Sequence, residues 1–305
     1  MPWTRVSRLP RPALRLALVA AVALGLGGCA SGSGDRAAPH LDLDVPSPAV
    51  GRAPVPADSR IPELPLDAYV LDPKEHGTLL RSLALLTGRC MADAGLPMPP
   101  PAATGPVPAD PGRNDRRYGI VDPAGAAVNG YHPPPQASQE DPPLSPQQLE
   151  ALAGTPDGGP GPGGAPAIGC HGAAAVRITG TRDYPSTTGE VVQAIDLASF
   201  ELSRKDDRVA SVIRNWSACM ARSGHSQSDP LNIVGIASPV ASDAEKAIAG
   251  ADIGCKQETG LVAVWYAVES AYQQELIQKN KKALDDLLGK RADQLRKAQD
   301  VLAGR

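Results

Sequence analysis

The chain predicts a mainly α, disulfide-stapled domain, and three observations carry that expectation. Apolar residues recur at three- and four-residue spacing in several long windows. A Cys-Met pattern followed by Ile-Gly-Cys occurs twice. Alternating strand-like runs are almost absent, which also argues against the α/β pattern of a solute-binding protein.

The repeated pattern organises the rest. Val209, Val212, Ile213, Trp216 and Met220 share one helical face, with Asp206 or Asp207 placed to cap the start and Gly224 to end it. Leu80, Leu83, Ala84, Cys90, Met91, Ala92 and Gly95 stand at the spacing of Val209, Val212, Ile213, Cys219, Met220, Ala221 and Gly224. Each copy is followed by a second cysteine, in Ile168-Gly169-Cys170 and Ile253-Gly254-Cys255. This is a degenerate duplication, with a first unit over 66–175 and a second over 189–260.

Residues 1–28 read as a targeting segment. Arg5, Arg8, Arg11 and Arg15 precede an apolar run, Leu16 to Leu26, that is short for a permanent span. The segment ends Leu26-Gly27-Gly28-Cys29, which looks like a bacterial lipobox, so Cys29 is the expected lipidation site and new N-terminus. Two or more acyl chains satisfy the requirement for stable anchoring. The expected location is therefore the outer face of the cytoplasmic membrane, lipid-anchored. Residues 29–64 are rich in Gly, Ser, Pro, Ala and Asp and are expected to form a disordered tether.

Export sets the cysteine chemistry. Cys90, Cys170, Cys219 and Cys255 remain, an even number for an oxidising compartment, and four cysteines allow three pairings. The duplication favours Cys90–Cys170 and Cys219–Cys255, because each unit would then carry its own bridge. The chain has one Phe, so staples compensate for a core built from Leu, Val, Ile and Ala. No Cys-x-x-Cys or His-x-x-x-His spacing suggests a metal, and no cofactor motif is present. Removing the first 28 residues takes four Arg and no acid from 30 basic and 33 acidic residues, leaving a net charge of −7. That argues against a nucleic-acid partner.

Within 65–305, Asp72-Pro73-Lys74-Glu75 is a helix start, and Leu79, Leu83, Leu86 and Cys90 follow at helical spacing. A long Pro/Gly-rich loop over 96–164 should be largely irregular. Two islands inside it, Arg116 to Ile120 and Asn129 to His132, carry tyrosines expected to dock on the body. Glu190 to Leu202 forms a further helix. From the Ser242–Glu245 capping signal to about Leu302 no proline interrupts, so a long helical run is expected, about 90 Å if continuous, with Gly254, Gly260 and Gly289 the places where it could break or bend. Its last part, 277–302, carries a thin seam of Ile277, Leu284, Leu288, Leu295 and Leu302. That seam fits a cover over the helical body, or an arm for self-association or an envelope protein partner.

No Gly-x-Ser-x-Gly, His-Glu-x-x-His, Walker or Gly-x-Gly-x-x-Gly motif occurs. Tyr118, Tyr131, His132, His171 and His225 form the candidate pocket, provided that the two units bring them together. Glu269, among apolar residues, is expected to face solvent or to cap.

The string from Ser199 to Val209, then Trp216 to Met220, Ala251 to Lys256, Leu261 to Trp265 and Ala271 to Ile277, resembles a family of actinobacterial lipoproteins and secreted proteins. The resemblance extends more weakly to 66–95, Arg117 to Gly119, Gly130-Tyr131 and Gly169-Cys170. It implies fold and envelope location and supplies no catalytic residues. Where it implies an aromatic after the motif glycine, this chain has His225. The function expected is that of a binding or scaffolding lipoprotein. The alternative is a cell-wall or peptide-processing enzyme without a recognisable motif.

Overall fold

The computed structural model describes residues 40–51, 61–98, 113–135, 142–233 and 240–305. Cys29 and the expected targeting segment, residues 1–28, lie outside the described residues. Pro39–Arg305 is one compact unit, and all that follows concerns it.

Among the described residues the architecture is nine α-helices without a strand. The first long helix, α1 (Pro73–Asp93), starts where the sequence places it: the Asp72 carboxylate accepts the Glu75 N–H, and Pro73 takes the first position. The Pro/Gly-rich stretch holds two short helices, α2 (Pro123–Asn129) and α3 (Pro146–Ala153). Both begin with a capping side chain and a proline, Asp122-Pro123 and Ser145-Pro146, so the prolines that read as loop are helix starts. Next come α4 (Gly169–Thr179), α5 (Glu190–Lys205) and α6 (Asp207–Arg222), the last capped by Asp206.

The expected long helical run to 302 is three helices: α7 (Asp243–Thr259), α8 (Leu261–Lys279) and α9 (Lys281–Leu302). Gly260 breaks it in the left-handed conformation, as a weak point should. The second break is at Asn280, whose side-chain amide donates to the Leu276 carbonyl, while Gly254 and Gly289 sit inside helices.

Each unit carries its own bridge. Cys90–Cys170 joins α1 to α4 and Cys219–Cys255 joins α6 to α7, both with Cα atoms 5.6 Å apart. The main core gathers Trp216, Val209 and Met220 of α6, Trp265 and Leu276 of α8, and Val192 and Ile195 of α5. A second core joins Leu79 and Leu83 of α1 to Ile178 of α4 and to Ala298 and Val301 of α9. Helix α9 thus covers the body, packing on α1, α4 and α5.

Its buried stripe differs from the expected leucine seam. Leu284, Arg291, Ala298 and Val301 are buried, while Leu288 and Leu302 are exposed. The Arg291 guanidinium bonds the carbonyls of Tyr69, Thr187 and Thr188, tying α9 to the turn 65–69 and to the start of α5. A cation at the centre of the stripe is held by three backbone oxygens, a solution that apolar spacing does not reveal.

The expected tether also requires correction. Residues 40–51 and 61–64 are described and lie on the body, with Val45, Ile61 and Leu64 buried in its apolar interior. The alternation Leu41, Leu43, Val45 has a two-residue period that puts all three on one side of an extended chain. Acids at 42 and 44 gave this stretch the look of a solvated linker.

Candidate functional site

Three carboxylates lie in a row along α7 and α8, and the tyrosine islands fasten onto them. Glu245 and Asp252 are seven apart on α7, hence on one face, and Glu269 is on α8. All three are buried, at 2%, 0% and 0% exposure, so Glu269 is not the solvent-facing or capping group its sequence position suggested.

Glu269 is the most heavily engaged. Arg117 Nε donates to its Oε1 at 2.8 Å and Arg117 Nη2 bonds the same oxygen, while the Tyr118 hydroxyl donates to Oε2 at 2.9 Å. Gln273 Nε2 lies 3.4 Å from Oε1, and its own carbonyl oxygen accepts the Leu66 N–H at 2.9 Å. Arg117 also reaches Asp196 of α5 at 2.9 Å. Burial pushes the Glu269 carboxyl up from its ordinary value, opposed by the bonds from Arg117. For Arg117, burial acts to lower the value, but Glu269 and Asp196 together raise it, so the guanidinium stays charged. Burial, then the charge of Glu269, raises the Tyr118 phenol well above its ordinary value, keeping it a proton donor.

Asp252 has a similar set. Its Oδ1 accepts from the Trp216 indole at 2.9 Å, and its Oδ2 accepts from Lys256 Nζ at 2.9 Å and from the Tyr131 hydroxyl at 3.2 Å. Lys256, only 3% exposed, donates also to the Ile120 carbonyl at 3.1 Å. Burial moves both partners toward their neutral forms, raising Asp252 and lowering Lys256, and their mutual attraction opposes it. Gly119 makes this approach feasible: at φ +85 it crosses so close that an added Cβ would lie 2.5 Å from Lys256 Nζ and 2.9 Å from the Pro230 carbonyl oxygen.

Glu245 completes the row. Its backbone N–H is capped by Ser242, but its side chain turns to the second island, accepting the Tyr131 N–H at 2.9 Å with His132 Nε2 at 3.3 Å.

Of the five residues of the candidate pocket, Tyr118, Tyr131 and His132 are thus docked on α7 and α8. His171 is on α4 and stacks on Tyr184 with ring centroids 3.7 Å apart; burial lowers its pKa. His225 follows the end of α6, its N–H bonded to the Met220 carbonyl. Tyr131 and His132 thus share Glu245, while His171 and His225 have other partners, and no group of three or more metal-capable side chains occurs among the described residues. A cavity of about 550 Å³ beside the turn 65–69 is lined by Glu63, Asp67, Tyr266, Ser270 and Gln274, and another of about 650 Å³ opens beside Val50 and Arg208. None of the five lines either.

Sequence reasoning missed Arg117, Asp252 and Lys256. Their signal was present: Asp252 and Lys256 flank Ile253-Gly254-Cys255 on a helix whose neighbours are core residues, a place where charge persists only when paired.

Chemically, each buried carboxylate oxygen has a protein partner, and the arrangement locks a loop to a helix pair. Fold and site define a helical, disulfide-stapled domain with a small set of buried, internally paired charged groups. No known protein family, curated protein or solved structure matches the chain.

Proposed function

We propose that the chain is a lipid-anchored binding or scaffolding domain of the cell envelope, held on the outer face of the cytoplasmic membrane through Cys29. The observation that carries the anchor is Leu26-Gly27-Gly28-Cys29 at the end of a basic and then apolar segment. The two bridges suit an oxidising compartment, and no helix among the described residues is long and apolar enough to cross a membrane.

The scaffolding part rests on the network. Glu245, Asp252, Lys256 and Glu269 are all committed to internal partners and buried, which favours rigidity over turnover of a substrate. The decisive experiment is fractionation of cells expressing the whole chain and its Cys29→Ser variant. The wild type should sediment with membranes and the variant should be released. Equal retention would overturn the anchor.

A further inference from the structure

Residues 41–48 lie across the start of α6 and the α8–α9 joint, and the body reads their backbone. Asn280 bonds both polar main-chain atoms of Asp42: its Oδ1 accepts the N–H at 2.9 Å and its Nδ2 donates to the carbonyl at 2.8 Å. Lys279 Nζ reaches the Asp42 carboxylate at 3.2 Å and bonds the Asp44 carbonyl. Arg208 Nη1 donates to the Pro48 carbonyl at 3.0 Å, and Ser47 Oγ donates to Asp206 at 2.8 Å. Val45 enters the core, with Leu41 and Leu43 partly buried beside it.

The receiving groups are oriented by the body itself. Asn280 is held by the Leu276 carbonyl. Asp206 caps α6, is gripped by Arg208 Nε at 2.7 Å and accepts the Tyr272 hydroxyl at 3.1 Å. A side-chain amide that pairs with both backbone atoms of one residue is a general device for holding an extended peptide, and aliphatic sockets at alternate positions supply its selectivity.

We propose that this groove is a receptor for an extended peptide of alternating aliphatic and acidic residues followed by proline, and that segment 41–48 fills it in cis. The chain is then a peptide-binding module with its own occupant in place. A partner segment with the same pattern competes with the strap, and its apparent affinity is reduced by the fraction of chains whose groove is filled. This names the partner class for the binding reading above. Fractionation of Cys29→Ser reports only on the anchor and the test below only on the groove, so failure of one is distinct from failure of the other.

The test uses the full chain carrying Val45→Asp, which places a carboxylate in the aliphatic socket and empties the groove. A fluorescent peptide of residues 40–51 is titrated by anisotropy, with hydrogen exchange of the Asp42–Val45 amides and a thermal melt as controls. The expected result is faster exchange of those amides, an unchanged main melting transition, and peptide binding roughly tenfold or more tighter than to the wild type. Adding Asn280→Asp, which puts an oxygen against the Asp42 carbonyl, should weaken that binding by roughly tenfold or more. Absence of binding, equal binding to the wild type, or indifference to Asn280→Asp would overturn the proposal. So would continued protection of the strap amides in Val45→Asp, which would make the strap a fixed part of the core.

Discussion

The two Cys-Met units share a bridge and a stripe but not a polar interior. Leu83, Met91 and Cys170 in the first, and Val212, Met220 and Cys255 in the second, are all buried. The place held by Trp216 in the second unit is held by Thr87 in the first. Around Ile-Gly-Cys, Asp252 and Lys256 correspond to Ala167 and His171. So in the second unit an indole and an ammonium both bond one carboxylate, whereas in the first the buried Thr87 hydroxyl has only the Tyr184 phenol as a polar neighbour and no charged group.

The glycines diverge too. Gly254 is helical with open space around it, while Gly169, at φ +72, passes so close to α3 that a Cβ would lie 2.3 Å from the Leu152 carbonyl oxygen. The bridge and stripe suffice to hold two helices together. The added ion network in the second unit holds something else, the loop carrying Tyr118 and Tyr131.

The largest expected break in this comparison is Asp252→Ala. It leaves Lys256, the Trp216 indole and the Tyr131 hydroxyl without their acceptor, and removing one partner of a buried ion pair costs about 3–5 kcal/mol. Urea unfolding should show a loss in that range.

The bridges should weigh nearly equally. In the chain-entropy treatment, loops closed over 80 and 36 positions are each worth about 4 kcal/mol, the longer exceeding the shorter by about 0.7 kcal/mol. Double Cys→Ala variants, one pair at a time, should therefore lose similar stability. A gap of several kcal/mol between them would mean that the units are not equivalent as staples.

Acid should strike the second unit at the start of α6. Bonds from Arg208, opposed by burial and aided by Ser47, hold the Asp206 carboxyl well below the usual carboxylate range. A depressed folded-state value contributes stability that is fully present above the unfolded value near pH 4 and lost as pH falls through the folded one. The loss of stability below about pH 4 should be shallower in Asp206→Asn than in the wild type, measured as urea midpoint against pH.

The smallest effect belongs to the first unit. Thr87→Val removes a buried hydroxyl whose polar neighbour is the Tyr184 phenol, so the change should be small, a loss of about 1 kcal/mol at most. A loss well beyond that would give the first unit a polar contact comparable to those of the second and narrow the contrast between the units.

Much of the frame was legible in the chain. Asp72-Pro73, Ser242 and Gly260 set helix ends by local chemistry, and the duplicated cysteines paired within their units as the repeat implied. What was not legible depends on contacts between distant residues. Asn280 ends α8 while bonding Asp42, and Arg291 is buried because three carbonyls from elsewhere meet it. Glu269 reads as a surface carboxylate until Arg117 and Tyr118, about 150 positions earlier, close over it.

The central claim is that the buried carboxylates of α7 and α8 hold the tyrosine islands against those helices. Amide hydrogen exchange on Glu269→Gln tests it most directly, because Arg117, Gly119, Tyr131 and His132 have bonded N–H groups in those islands. Protection at Arg117 and Gly119, beside the Glu269 contacts, should fall most, while the amides of α1 and α4 exchange as in the wild type. Unchanged protection in the islands, or an equal loss throughout α1 and α4, would contradict it.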